Sequence, residues 1–525
     1  MPELLSVLAG LVPAAMVVAG VLPPRVLAAR PGVPAAAALA GLGAALLTAA
    51  GVVHGGPVHT TLGRLGPAVH LDALSLVMLV LVAFVGTIVT RFGATYLAGE
   101  GGHGRFLRWL SLTLAAVLTL VIAGNLLMLV LAWMATSLFL HPLLVHYRER
   151  PAAHLAARKK FLISRVGDVA LIAAIAVAGV SFGTLDLAAM ADAARAADPG
   201  HTPASHHAVA VLIAAAAMLK SAQVPGHGWL TEVMETPTPV SALLHAGIIN
   251  AGGFLVIRLA DLVALSTPAM DLLALVGGFT ALLGSVVMLT QSSVKVGLAW
   301  STVAQMGFMM LQCGLGAFAA ATLHLVAHSL YKAHAFLTAG SVIDIARAAW
   351  RPAPRGTPHP GRLAGLMAVV AAAAWGASEV MGVPPAQAPG VFAMGAVLAM
   401  GLTTLLLNAG DQPPGAGLYA RVTALAGGTA LAYFALHHGA ALLMADVVPA
   451  KQTVRSPFDL VIVALVVVSF AAVTVLQRVV PYHRDRPIWR AAYIHVRNGF
   501  YLDTAFNRVV QRVWPVGEPR EEGRA

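Results

Sequence analysis

A chain of 525 residues that is 58% apolar and only 10% charged, with a mean hydropathy of +0.81, lies outside the range of soluble globular domains, in which roughly a quarter of residues are charged. A formal net charge of +11 would suggest nucleic acid in a soluble protein, but here Arg and Lys collect in loops between apolar runs. That is a topology signal, and no nucleic-acid partner is expected. The single cysteine, Cys313, excludes an intramolecular disulfide and any zinc site in this chain built from several cysteines.

The first apolar run, MPELLSVLAGLVPAAMVVAG, has no basic residue ahead of it and is expected to be a retained first helix, not a cleaved signal. Apolar runs of about 20 residues recur from end to end and predict an all-α, polytopic membrane protein of about fifteen transmembrane helices. The expected spans lie near 3–22, 34–53, 71–92, 107–123, 125–146, 160–180, 206–235 (broken), 240–262, 269–290, 295–314, 317–346, 363–382, 388–408, 417–443 and 457–479. A soluble helical solenoid would need polar outer faces that are absent. Alternate loops carry Arg25 and Arg30, then Arg91, Arg105 and Arg108, then Arg148, Arg150, Arg158, Lys159 and Lys160, then Arg347, Arg351, Arg355 and Arg362. With the tail arginines 478, 484, 486, 490 and 497, they all share one side if the amino terminus is outside and the carboxyl terminus cytoplasmic. The loop at 409–416 belongs to that side yet has no Lys or Arg. The tail, YHRDRPIWRAAYIHVRNGFYLDTAFNRVVQRVW, alternates aromatics with Arg. It fits an amphipathic helix lying on membrane lipid, a docking surface for another subunit, or a basic aromatic anchor.

The stretch 220–254 carries Lys220, His227, Glu232, Glu235 and His245 and is broken by Pro225, Gly226, Pro237 and Pro239. Ionisable groups at membrane depth are costly and face a bundle interior or a wet path. Irregular backbone there must be covered by protein or line a cavity. The segment therefore reads as a discontinuous helix along a polar route. Lys220 has two readings, a switching site that gains and loses a proton near working pH and a lysine snorkelling from a helix end. His324, His328 and Lys332, spaced by four, share one helical stripe. This predicts a proton relay. Two histidines at that spacing could also bind a metal, but no Glu follows the first and the lysine one turn on repels a cation. His334 lies off the stripe. Asp168 is either the helical ion-pair partner of Arg165 or an acid that tunes a lysine. His245 and Lys295 are weaker candidates on the same line; Ser241 and His245 could simply hydrogen-bond, and Lys295 could belong to a loop. There is no phosphate-binding glycine loop, no His-Glu-x-x-His and no serine elbow, so the chain is expected to be a transporter subunit and not an enzyme, with no cofactor of its own.

The stretches LKSAQVPGHGWLTEVMETPTPVSALLHAGIINAGG, HLVAHSLYKAHAFLTAGSVI and RVGDVAL resemble the antiporter-like subunits of respiratory complex I and Mrp-type cation/proton antiporters, over roughly Asp72 to Asp344. The resemblance implies two inverted-topology five-helix repeats, each with a broken helix, around a hydrophilic axis. The organisation it suggests is amino-terminal helices over 1–106, a first repeat over 107–262, a degenerate second repeat over 263–410, further helices over 411–480 and a basic tail over 481–525. Three features depart from the complex I pattern. Met134 stands where a glutamate follows the tryptophan of the fifth helix, and His141, on the same face, is a candidate substitute. The second broken helix becomes AWGASEVMGVPPAQAPGVF, with Glu379 and no lysine. The chain is also short for the long lateral helix. With the HVRNGFYLD tail, these departures resemble the DabB family, membrane subunits of bacterial inorganic carbon accumulation complexes. That resemblance implies conduction of protons or sodium across the cell inner membrane, coupled to CO2 hydration by a soluble zinc-containing DabA partner, with no zinc in this chain. A proton-pumping or antiporter subunit of a complex I-like or Mrp-like assembly is the alternative, and an anchor with vestigial polar residues a third.

Overall fold

The computed structural model describes the chain except at 62, 64–65, 199–200, 342–359, 381–387, 411–415, 450–456, 484 and 516–525. Arg347, Arg351, Arg355, Arg484, Pro384 and Pro385 of the altered second break and most of the loop at 409–416 lie outside the described residues. Among the described residues, eleven helices are long and apolar enough to cross a membrane. The other expected spans fall on the helices Ala204–Lys220, Phe318–Leu337, Pro360–Val380 and Ala416–Leu443. The protein is a polytopic α-helical membrane protein.

Local chemistry sets the ends of these helices. Asp72 caps the helix Ala73–Tyr96 by accepting from the Ser75 amide at 2.9 Å, and Asn125 caps Leu126–Leu144 through the Met128 amide at 2.7 Å. Buried hydroxyls such as Thr90, Ser111 and Thr136 donate back to carbonyls four residues earlier, which leaves no free O–H facing hydrocarbon. Where water drives no association, small residues let helices meet at the backbone. Helices Thr267–Met288 and Val294–Gly314 run antiparallel in this way, since a Cβ on Gly284 would lie 2.7 Å from the Ala304 amide nitrogen and one on Gly277 2.7 Å from the Gly307 carbonyl.

Three features differ from the sequence expectation. A hairpin pairs Val58–Thr61 with Ala68–Leu71, Val58 opposite Leu71, in an otherwise helical chain; its β-branched residues flank a turn containing Gly63 with φ of 75°. The sixth span begins earlier than 160: a single helix covers Pro151–Ser181, with Pro151 in its first turn, so Lys159 and Lys160 are helical and buried and do not belong to a loop. The span expected as continuous over 240–262 is itself interrupted. It runs as Thr238–Ala246, a tight turn Ile248–Asn250, and Ala251–Arg258, all buried at the centre of the bundle. No proline marks this break, and a Cβ on Gly252 would collide with the Ala217 carbonyl and the Ser221 hydroxyl. Close packing of two helices, which no single-segment pattern reveals, produces it.

Candidate functional site

The helix Ala204–Lys220 stops at Lys220; Ala222 then adopts φ of 50°, and a short helix resumes at Gly228–Glu232. The freed backbone is satisfied internally. The Gln223 amide donates to the Ser221 carbonyl at 2.8 Å, and the Val224 N–H donates to Thr280 Oγ1 at 3.1 Å. Lys220 is 6% exposed, and its ammonium lies 4.5 Å from the centroid of the Trp133 ring. A desolvated cation–π contact contributes about 2 kcal/mol, whereas burying an ammonium costs several kcal/mol. The ring alone does not offset that cost. The negative end of the helix that Lys220 terminates and the Asp168 carboxylate, within electrostatic reach, supply further attraction. Asp168 is 3% exposed and pairs with Arg165 at 2.7 Å, so the helical ion pair forms and still leaves the carboxylate near Lys220.

A second buried ammonium lies on the neighbouring helix. Lys160, 3% exposed, donates to the Ser137 carbonyl at 2.7 Å and its hydroxyl at 2.8 Å. His141, the candidate substitute for the acid absent at Met134, packs edge-on against Phe161 at 5.7 Å within the field of Lys160. Sequence reasoning missed Lys160 because the run ARKKF reads as a basic loop; Pro151 as a helix start, placing residue 160 more than two turns inside, was the available signal.

Beside Lys220, whose ammonium makes no hydrogen bond among the described residues, a seam of buried polar side chains passes both helix breaks. The Ser221 hydroxyl donates to the Ile249 carbonyl at 3.0 Å, and the Asn250 amide donates to Ser329 Oγ at 2.8 Å, between the two deeper members of the His/Lys stripe. His328 Nε2 contacts the His245 carbonyl at 3.2 Å. His245 itself, fully buried, stacks on Phe336 at 4.3 Å and places Nδ1 3.0 Å from Thr302 Oγ1. Ser241 instead meets Thr236, so the local Ser241–His245 bond does not form. Lys332, fully buried, donates to the Leu298 carbonyl at 3.0 Å and to the Ser301 hydroxyl. At the other end of the stripe, His324 is half-buried, its ring 6.1 Å from that of His328, with Nδ1 2.8 Å from Gln312 Oε1. His334 is exposed and off the seam.

The remaining candidates sit elsewhere. Glu232 pairs with Lys159 at 2.9 Å and Glu235 with Arg150 at 3.0 Å, both at the side of the molecule bearing the basic loops. Lys295 is the second residue of its helix and donates to Thr238 Oγ1 at 3.1 Å. Glu379 is exposed on the helix Pro360–Val380. The arrangement is a line of titratable side chains, hydroxyls and amides inside a membrane bundle.

Residues 123–388 match the family model described as NADH:quinone oxidoreductase/Mrp antiporter, TM. Residues 63–107 match that of the NADH-ubiquinone oxidoreductase (complex I) chain 5 N-terminus. The chain belongs to the NADH:quinone oxidoreductase/Mrp antiporter membrane family. Among curated relatives, it is 47% identical over 294 residues to the probable inorganic carbon transporter subunit DabB2 of Halothiobacillus neapolitanus, covering 56% of this chain and 53% of that protein. It is 48% identical over 280 residues to the probable inorganic carbon transporter subunit DabB of Hydrogenovibrio crunogenus, covering 53% and 54%. The chain thus spans about half the length of these curated relatives. Its fold resembles a chain in the structure of the Mrp complex from Dietzia, with a TM-score of 0.61 and 25% identity over 99% of this chain and 60% of that one.

Proposed function

We propose that the chain is the cation-translocating membrane subunit of an inorganic carbon accumulation complex, moving protons or sodium across the cell inner membrane to power CO2 hydration by a DabA-like soluble zinc protein. The observation that carries this reading is the row of buried polar side chains that runs from Lys220 past Ser221 and Asn250 to His328 and Lys332; the names of the inorganic carbon relatives supply its direction. Lys220 is the switching site: its ammonium rests on the Trp133 face and moves a proton between the side facing Asp168 and Lys160 and the side facing the two breaks. His245, His328 and His324 pass protons between ring nitrogens and neighbouring oxygens, and Lys332 terminates the buried part of the relay. A neutral imidazole has one donor and one acceptor nitrogen, so each can take a proton on one side and release one on the other. The amino terminus is outside and the carboxyl terminus cytoplasmic, following the basic loops. Hydration of CO2 belongs to the partner, whose residues would hold the zinc that activates water there.

In cells whose growth depends on carbon accumulation, Lys220→Ala is expected to abolish rescue while the complex still assembles. Normal rescue by an assembled variant would reject the role. The second reading, a pump or antiporter subunit of an Mrp-like or complex I-like assembly, is favoured by the fold shared with the Mrp complex chain. Copurification separates the two: a single large zinc protein supports the first, and a set of further membrane subunits the second.

A further inference from the structure

The family match ends at residue 388, yet a side chain from far beyond it joins the polar cluster on the basic-loop side. Asp503, on the amphipathic helix Leu502–Val513, reaches under the second half of the broken helix. Its carboxylate lies 3.8 Å from Lys159 Nζ and accepts from the Thr231 hydroxyl at 3.3 Å. It occupies the space where any Cβ on Gly228 would stand, which accounts for a glycine there. Lys159 is completely buried and also pairs with Glu232, whose other oxygen accepts from the Asn507 amide at 2.9 Å. His227 completes the group: it is fully buried, its ring 5.0 Å from that of Trp300, within the field of both Asp503 and Lys159. The Pro225 carbonyl is the hydrogen-bond partner within reach of its ring.

Two carboxylates, each about a quarter exposed, meet one fully buried ammonium here, so these contacts leave one negative charge facing the rim, where an arriving cation can be held. The cluster sits seven residues along the break from Lys220, and Lys159 is adjacent in sequence to Lys160. The helix bearing Asp503 follows a turn in which Gly499, Phe500 and Tyr501 all have positive φ, at 56°, 53° and 62°. Left-handed backbone at a residue with a side chain costs about 1–2 kcal/mol, and such strain persists where surrounding contacts over-determine it.

We propose that Asp503, Glu232, Lys159 and His227 form the port through which the cation enters or leaves the seam on the basic-loop side, with the C-terminal helix as one wall of it. This rests on the translocation reading above. The test uses the full chain with any subunit that copurifies, in liposomes under an imposed proton or sodium gradient, with flux read by an entrapped indicator. Asp503→Asn keeps the side chain's shape and removes its charge. It is expected to lower flux about ten-fold or more at low cation concentration, as loss of a focusing charge does, and to raise the half-saturating concentration. Asp503→Glu is expected to restore flux. Asn507→Ala, which removes a hydrogen bond and no charge, is expected to leave the half-saturating concentration unchanged. Wild-type flux from a folded Asp503→Asn protein would overturn the port. So would equal damage from Asn507→Ala, which would mark the contact as structural. Should Asp503→Asn not fold, Glu232→Gln is read in the same way, and wild-type concentration dependence from it overturns the port. Flux abolished by Lys220→Ala but untouched at Asp503 would sink the port alone; no flux from the wild-type chain sinks both readings.

Discussion

Lys220 and Trp133 show what one contact does in this setting. An aromatic face attracts the ammonium more weakly than a directly paired carboxylate would, and on the proposed reading that weaker hold lets it exchange a proton. Replacing Trp133 with Leu removes about 2 kcal/mol of attraction, and transport measured in liposomes is expected to fall about ten-fold or more while helix content by circular dichroism is unchanged. Trp133→Phe is expected to fall between the two, because the smaller ring binds cations less well. The Lys220 ammonium was legible in the sequence as a charge in an apolar run. Its partner was not: Trp133 is 87 positions away and reads as an ordinary core aromatic. Asp72 gives a case outside the spans. Burial alone would raise its carboxyl, but Arg258, at 2.6 Å, and the His70 imidazole outweigh burial and hold it well below the usual carboxylate range. Because the folded form is depressed, its contribution is present above the ordinary carboxylate range near 4 and is lost as pH falls below that. Asp72→Asn is expected to destabilise by about 3–5 kcal/mol at neutral pH, since it strands a buried guanidinium. The difference from wild type should narrow in thermal unfolding followed at progressively lower pH.

At the scale of elements, the two broken helices act as one unit. The first break was visible from Pro225 and Gly226 inside an apolar run; the second was hidden, because Gly247 to Asn250 offers no proline and its interruption depends on backbone packing against Ala217 and Ser221. Gly252→Leu is expected to drive these helices apart and to lower both the thermal midpoint and transport. Asn250→Ala removes the bridge to Ser329 and is expected to cut transport with a smaller change in stability. A thermal shift assay run beside the flux measurement checks both. The helix Pro151–Ser181 teaches a similar lesson. Three consecutive basic residues, Arg158, Lys159 and Lys160, read as a loop signal, yet only Arg158 stays at the rim, contacting the Trp514 and Pro515 carbonyls. The helix turns its two neighbours inward, one to Glu232 and one to Ser137.

For the whole molecule, the single native cysteine makes orientation testable without a cysteine-free background, because Cys313 is fully buried. Cysteines placed at the exposed positions Glu3 and Arg490 are expected to behave oppositely towards an impermeant maleimide. Position 3 should label on intact cells and position 490 only after permeabilisation; the reverse pattern would overturn the assigned topology. Membrane residence, the approximate spans, the first helix break and the His/Lys stripe follow from the sequence alone. Each depends on local hydropathy, helical periodicity or the cost of charge in hydrocarbon, and needs no knowledge of neighbours. Only the tertiary structure decided which aromatic faces Lys220, that Lys160 is interior, where the second break falls and that Asp503 returns from the distal end to meet Lys159. Those outcomes are contacts between segments tens to hundreds of residues apart, and the packing that selects them leaves no periodic trace in either segment.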